Sequence, residues 1–243
     1  GGTSITPGTN GDPMTETDRH RAAAAAVAAD LTDDADAILL VGSTANGYAD
    51  AYSDADLTVL GAVEPGERRV DGVRVEWTTT TRDTIEDELV GWSDDAALYS
   101  YATAEVLHDT VGIEGVLTEY DRYPPPVRRE KLFAGWFHGS GNAFDARKAA
   151  ERGDDRVRRC AATAAVEQFV ALTYVLDRRF PPYRKWLFRD PPIELPGVED
   201  AIAGDIEALD ELEAAVRAEI DGLIADDRIE RPYLFDPSYE ALG

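Results

Sequence analysis

Residues 38–60 constrain the fold most, because two apolar runs flank a glycine-containing bend and a pair of aspartates. The first run ends at Gly42-Ser43, and the second begins at Asp54 and Asp56. We predict a strand, a tight turn and a second strand that opens with the two carboxylates. Side chains two residues apart in a strand point to the same side. Both aspartates are therefore expected to project towards the bend.

This arrangement suits a metal-dependent phosphate site. Two neighbouring carboxylates repel each other unless a cation neutralises them. Mg²⁺ is usually held by one or two carboxylates together with substrate phosphates. Backbone N–H groups and the hydroxyl at Gly42-Ser43 can bind phosphate oxygens. The pattern therefore predicts a site for a nucleoside triphosphate.

The motif resembles the signature of the DNA-polymerase-β-like nucleotidyltransferase superfamily. The resemblance is carried by Gly42-Ser43, Asn46-Gly47 and the segment SDADL at 53–57. The spacing is most similar to small-molecule (aminoglycoside-type) nucleotidyltransferases, and also to the minimal nucleotidyltransferases of toxin–antitoxin pairs. The resemblance implies an α+β chain, in which a small mixed sheet flanked by helices precedes an antiparallel helical bundle. It also implies transfer of a nucleoside monophosphate, with AMP expected, to a hydroxyl of a small molecule.

The resemblance assigns roles to the acidic residues. Asp54 and Asp56 would be catalytic and would hold two Mg²⁺ ions. A third acid of the superfamily completes the metal site or accepts the proton of the acceptor hydroxyl, and Glu76 matches it best by position. Glu76 lies on a predicted strand, 72–79, whose alternation places it on the face opposite the apolar residues. A solvated glutamate on that face, with Asp71 as the third acid, is the alternative.

The resemblance also assigns the nucleotide-binding residues. Gly42, Ser43 and Ser53 would contact ATP or another nucleoside triphosphate. Lys185, with Arg184 as the alternative, resembles a lysine of the helical domain that reaches the β- and γ-phosphates. A surface pair beside a core tryptophan is the other interpretation of these two basic residues.

The net charge of −24 limits the classes of partner. Acidic residues are spread over the chain, as in proteins of a high-salt cytoplasm, where salt screens self-repulsion. Such a surface argues against nucleic-acid binding, which needs a basic stripe. The sequence has no apolar run long enough for a membrane span and no secretory signal, so a cytoplasmic protein is expected. The single cysteine, Cys160, is predicted to be a small buried side chain on a helix.

Composition and prolines divide the chain into parts. Residues 1–13 are predicted to be a tag or a disordered arm, and residues 14–122 the nucleotidyltransferase domain. Three prolines at 124–126 predict a stiff extended linker, because proline disfavours helix interiors. Residues 127–243 then form a helical, substrate-binding domain, in which 156–178 shows a core face at three- and four-residue spacing. That face consists of Val157, Cys160, Ala161, Ala164, Phe169, Thr173 and Leu176.

Other nucleotide-binding motifs do not fit. The bend lacks the Gly-Lys-Ser/Thr ending of a P-loop and the middle glycine of a dinucleotide fingerprint. A catalytically inactive or antitoxin-like protein that acts on or binds a protein partner remains the alternative to an enzyme. Asn142, Asp145 and Lys148 are candidates for the acceptor side. The acceptor, the base preference and the oligomeric state are not identified by the sequence.

Overall fold

The computed structural model describes residues 14–225 and divides them into two compact units. The first unit contains 14–85 and Thr103–Val116, and the second contains Glu86–Ala102 and 117–225. The predicted arm at 1–13 lies outside the described residues. Residues 86–102 belong to the second unit, although the sequence division placed them with the first. The functional assignment of the two parts stays a prediction.

The first unit is a mixed sheet with a helix against one face. Its elements are α1 (Glu16–Leu31), β1 (Ala35–Val41), α2 (Gly42–Ala45), β2 (Ala55–Gly61), β3 (Gly66–Val70), β4 (Val73–Thr80) and β5 (Glu105–Asp109). The strand order is β3-β4-β2-β1-β5. Strands β2 and β4 pair in parallel and the other neighbours pair antiparallel. The predicted α+β class is confirmed.

The core of this unit follows from alternation along the strands. Alternate residues of β1, β2 and β4 are buried against alanines and a valine of α1. A capping box starts α1, since the Thr15 hydroxyl accepts from the Asp18 N–H and the Asp18 carboxylate accepts from Thr15 N–H. The opposite face of β2 and β4 is thereby left for polar side chains, as the pattern of 72–79 predicted.

Strand β3 was not predicted, because its residues are polar and it follows Pro65. It is an edge strand, where charged side chains are common. The signal that could have revealed it is Asp71-Gly72, a two-residue hairpin turn. Both residues have positive φ, 48° and 85°, as such a turn requires.

The second unit is helical. It contains α4 (Asp95–Ala102), α6 (Pro125–Glu151), α7 (Asp155–Leu176), α8 (Val198–Ile202) and α9 (Ile206–Ala225), while α3 (Arg82–Gly91) and α5 (Ile113–Glu119) begin in the first unit and end here. Helices α6 and α7 run antiparallel and approach closely where α6 has glycines. A Cβ on Gly139 would lie 2.6 Å from the Phe169 ring. The predicted break at Gly204 separates α8 from α9, and its φ is +94°.

Two predictions about this unit were wrong. The prolines do not form an extended linker, because Pro124 is the N-cap of α6 and Pro125 and Pro126 begin the helix. Proline is tolerated in the first turn, where its missing N–H would have no partner in the helix. Cys160 is exposed, and so is Val157. The buried face of α7 instead begins at Ala162.

Candidate functional site

The pairing of β1 and β2 brings Asp56, the second acid of the Asp-x-Asp motif, next to the Gly42-Ser43 bend. Asp56 is the register partner of Val41, the residue before Gly42. A Cβ on Gly42 would lie 2.6 Å from Oδ2 of Asp56, and Gly42 has a φ of +73°. Only glycine satisfies both conditions without displacing the carboxylate. The Asp56 side chain therefore lies directly against the bend.

An arginine joins the remaining acids on the same face of the sheet. Arg74 on β4 places Nη1 2.9 Å from Oδ2 of Asp54 and Nη2 3.0 Å from Oε2 of Glu76. Its Nε donates to Oε2 of Glu67 over 2.8 Å. Glu76 is also the parallel register partner of Asp56. The hydrogen bond that Arg74 donates to Glu67 and the negative charges of Glu67 and Glu76 raise the pKa of Arg74, so the guanidinium stays protonated.

The bend itself is only partly accessible. Gly42 is half-buried, whereas Ser43 is buried. The backbone is fixed by hydrogen bonds from Asn46 N–H and the Asn46 side-chain amide to the carbonyl of Gly42. Gly42, rather than Ser43, is thus the more accessible of the two residues predicted to bind phosphate.

Ser53 shapes the loop that leads into Asp54. Its hydroxyl accepts from Asp50 N–H and donates to the Asp50 carboxylate, each over 3.0 Å. The buried His20 of α1 places Nε2 2.9 Å from the carbonyl oxygen of Ser53, which attaches the loop to the helix. Tyr52, at the tip, is 95% exposed. The nucleotide-binding role assigned to Ser53 stays a prediction.

The donor chemistry of this face fits a hard cation. Asp54, Asp56 and Glu76 offer carboxylate oxygens, which Mg²⁺ prefers, and Arg74 is a cation already held among them. Within 14–225, no group of three or more histidine, cysteine or acidic side chains has a geometry that could hold a metal ion. Mg²⁺ needs only one or two carboxylates when phosphates supply the other ligands. The pair Asp54 and Asp56 therefore remains the candidate, and the role of Glu76 stays a prediction.

Lys185 lies in the second unit, whereas the acids lie in the first. Its Nζ lies 4.6 Å from the centroid of the Trp186 ring, a cation–π contact. Trp186 is buried, while Lys185 and Arg184 are exposed, and Arg184 pairs with Glu167. The structure therefore has the features of the surface-pair interpretation, and a phosphate contact by Lys185 stays a prediction.

The second unit carries an open depression with a volume of about 560 Å³. Its wall includes Asp95, which accepts hydrogen bonds from the Tyr123 hydroxyl over 2.7 Å and from Lys131 over 2.5 Å. Burial, then the hydrogen bond to Asp95, raises the pKa of Tyr123, so its phenol remains a donor. The other lining residues include acidic, aromatic and proline side chains, among them Glu167, Tyr183 and Pro182.

A smaller groove of about 360 Å³ lies between α6 and α7. Asn142, Asp145 and Lys148, the candidates for the acceptor side, all line it, together with the exposed Cys160. The structure thus brings these three residues to one surface of the second unit. Their role towards an acceptor stays a prediction.

Comparisons with known proteins give two matches and one negative result. A family model described as "Domain of unknown function (DUF4037)" matches residues 93–187, the span that contains every lining residue of the larger depression. A solved structure of a nucleotidyltransferase-like protein from Exiguobacterium sibiricum is similar, with a TM-score of 0.47 and 12% sequence identity. That similarity covers 84% of this chain and 75% of the other. No curated protein matches the chain significantly. No helix within 14–225 is both long and apolar enough to span a membrane.

Proposed function

We propose that this chain is a nucleotidyltransferase that moves a nucleoside monophosphate, with AMP expected from ATP, to a hydroxyl of a small molecule. The observation that carries the proposal is the position of Asp56 against the Gly42 bend. Asp54 and Glu76 lie on the same face, so carboxylates adjoin a bend at which Gly42 is half-buried rather than fully enclosed. This arrangement suits binding of a magnesium-complexed triphosphate.

Asp54 and Asp56 would hold two Mg²⁺ ions, which supply charge neutralisation for the triphosphate and lower the pKa of the acceptor hydroxyl. Gly42 would donate its N–H to the leaving pyrophosphate, and the fixed backbone at Asn46 would keep that donor in place. Glu76 would accept the proton of the acceptor hydroxyl. The chain thereby contributes positioning and charge complementarity, the main sources of rate in phosphoryl-type transfer.

The helical unit would provide the acceptor side and Lys185. An ammonium group that contacts the β- and γ-phosphates would stabilise the charge that develops on the leaving pyrophosphate. The depression lined by Asp95 and Tyr183 is large enough to receive a small molecule. The exposed position of Lys185 is compatible with a phosphate ligand.

A catalytically inactive or antitoxin-like protein is the second candidate, and the observation that favours it is Arg74. A guanidinium that permanently replaces the metal would leave Asp54 and Glu76 as structural ion-pair partners. Such a chain would use its surface to bind or modify a protein partner. Metal and nucleotide binding distinguish the two candidates.

The test is calorimetric titration of the chain with ATP in the presence and absence of Mg²⁺. We expect Mg²⁺-dependent binding that is lost in Asp54→Asn and in Asp56→Asn. Asp36→Asn is the matched control, because it removes the same charge from an exposed position on β1. Equal binding by all three variants, or no binding by the wild-type chain, would refute the enzyme proposal. Thermal unfolding checks that each variant is folded.

A further inference from the structure

We infer that Arg74 is a resident counter-ion of the metal-free site, and that it competes with the metal ion for Asp54. The inference rests on the proposed function, since it concerns the same carboxylates. Arg74 is a positioning residue in this scheme, because it acts on the acids and not on the reacting atoms.

The geometry of the guanidinium supports this role. Arg74 faces three carboxylates at once, those of Asp54, Glu67 and Glu76, with nitrogen–oxygen distances of 2.9 Å to Asp54 and 3.0 Å to Glu76. The three acids carry three negative charges against its single positive charge. Asp54 directly precedes β2 and Glu76 lies on β4, so one planar group joins acids from two neighbouring segments. A cation in this position reduces the repulsion that would otherwise separate them.

The same contacts oppose metal binding. The Asp54 oxygen that accepts from Arg74 is Oδ2, which is then less available as a metal ligand. A divalent cation beside Asp54 would also repel the guanidinium. Binding of the ion and formation of the Arg74–Asp54 ion pair therefore oppose each other, and each weakens the other to the same extent. Removal of Arg74 should tighten metal binding, and metal binding should release Arg74 from Asp54.

The size of the effect follows from Coulomb's law. A unit charge about 6 Å from a divalent ion in a water-like medium changes its affinity by about tenfold. Arg74 is 37% exposed in its side chain, so solvent screens the interaction and the water-like value applies. The effect should shrink as salt is added, since the Debye length falls.

The experiment is calorimetric titration with Mg²⁺ alone, in dilute buffer, of the wild-type chain, Arg74→Gln and Arg68→Gln. Arg68 is the matched control, because it lies on the neighbouring strand β3 and pairs with Asp30, away from the acids. The component of binding that disappears in Asp54→Asn defines the site. We expect Arg74→Gln to bind about ten times more tightly than the wild-type chain, and Arg68→Gln to match the wild-type chain.

A second readout separates this role from a purely structural one. In chelator, Arg74→Gln should unfold at a lower temperature than Arg68→Gln, and Mg²⁺ should remove the difference. Arg74→Lys keeps the charge and should bind Mg²⁺ nearly as the wild-type chain does.

The outcomes separate the two proposals. Asp54-dependent Mg²⁺ binding that is equal in Arg74→Gln and Arg68→Gln would overturn the inference and leave the proposed function standing. Binding that appears only in Arg74→Gln would support the inference and favour the inactive protein. Absence of Asp54-dependent Mg²⁺ binding in every variant would overturn the inference, whereas the proposed function fails only if Mg²⁺-dependent binding of ATP is also absent.

Discussion

Replacement of Gly42 by alanine tests the contact between the bend and Asp56. The new Cβ would lie 2.6 Å from Oδ2 of Asp56, and the residue would keep a φ of +73°. The left-handed conformation costs a non-glycine residue about 1–2 kcal/mol. The Asp56 carboxylate ends a short side chain, so it can rotate away, and the contact should add less than about 1 kcal/mol to the loss of stability. The rotation would move the carboxylate away from the proposed metal site.

Gly47→Ala is the matched control. Gly47 has a φ of +74°, but a Cβ there would meet nothing within 4 Å. Both variants should therefore lose about 1–2 kcal/mol from backbone strain. For a chain of this size, the unfolding temperature should fall by about 2–8 °C in each. Only Gly42→Ala should also weaken Mg²⁺-dependent ATP binding, by at least about tenfold if one ligand is displaced.

Thermal unfolding measures the loss of stability in the two variants, and calorimetry measures their Mg²⁺-dependent affinity for ATP. Equal nucleotide affinity in Gly42→Ala and Gly47→Ala would refute the reasoning, because it would mean that Asp56 need not lie against the bend. Loss of binding in both would assign the effect to the strained backbone between β1 and β2.

Three further predictions concern stability. Burial alone would raise the pKa of Asp109, but N–H donors from Val111, Gly112, Ile113 and Glu114 outweigh burial and lower the pKa. The ionised carboxylate therefore stabilises the fold above pH about 4, and this stabilisation disappears as the pH falls through the lowered pKa. Asp109→Ala should cost about 1 kcal/mol in urea unfolding at pH 7 and almost nothing at a pH below the lowered pKa. Gly139→Ala should destabilise the chain by about 1–3 kcal/mol, because the new Cβ would meet the Phe169 ring. Gly141→Ala has open space around it and should stabilise α6 by about 0.5–1 kcal/mol, and thermal unfolding compares the two variants. The net charge of −24 predicts a higher unfolding temperature in molar salt than in dilute buffer, and an unchanged temperature would contradict the interpretation of a high-salt protein.

Elements with a clear period could be predicted from the sequence. The alternation at 72–79 identified β4 and its two faces, and the apolar run before Gly42 identified β1. Helix α7 was predicted, and Phe169, Thr173 and Leu176 of its predicted face are buried. The first half of the face was wrong, because an alanine-rich stretch fits more than one face at three- and four-residue spacing. Residues such as Cys160 and Ala162 are both small, so neither marks the core.

The site was only partly predictable for a similar reason. Strand spacing placed Asp54 and Asp56 together, and alternation placed Arg74 and Glu76 on one face of β4. Local patterns do not reveal contacts between strands that are distant in sequence. The link between Arg74 and Glu67 depends on β3, the polar edge strand that was not predicted, so the cationic centre of the acidic cluster could not be identified.

The position of Arg74 also bears on the charge balance of the chain, because basic residues are scarce in it. Acidic residues outnumber basic ones by 48 to 24, so many carboxylates must rely on water and salt for their neutralisation. Isolated carboxylates can do so, whereas Asp54, Glu67 and Glu76 are held close together around Arg74, where a fixed cation lowers their mutual repulsion. An arginine shared by three acids is therefore expected where the fold concentrates negative charge at one place. An enzyme and an inactive relative would both need that cation without metal, and they differ in whether Mg²⁺ can replace it.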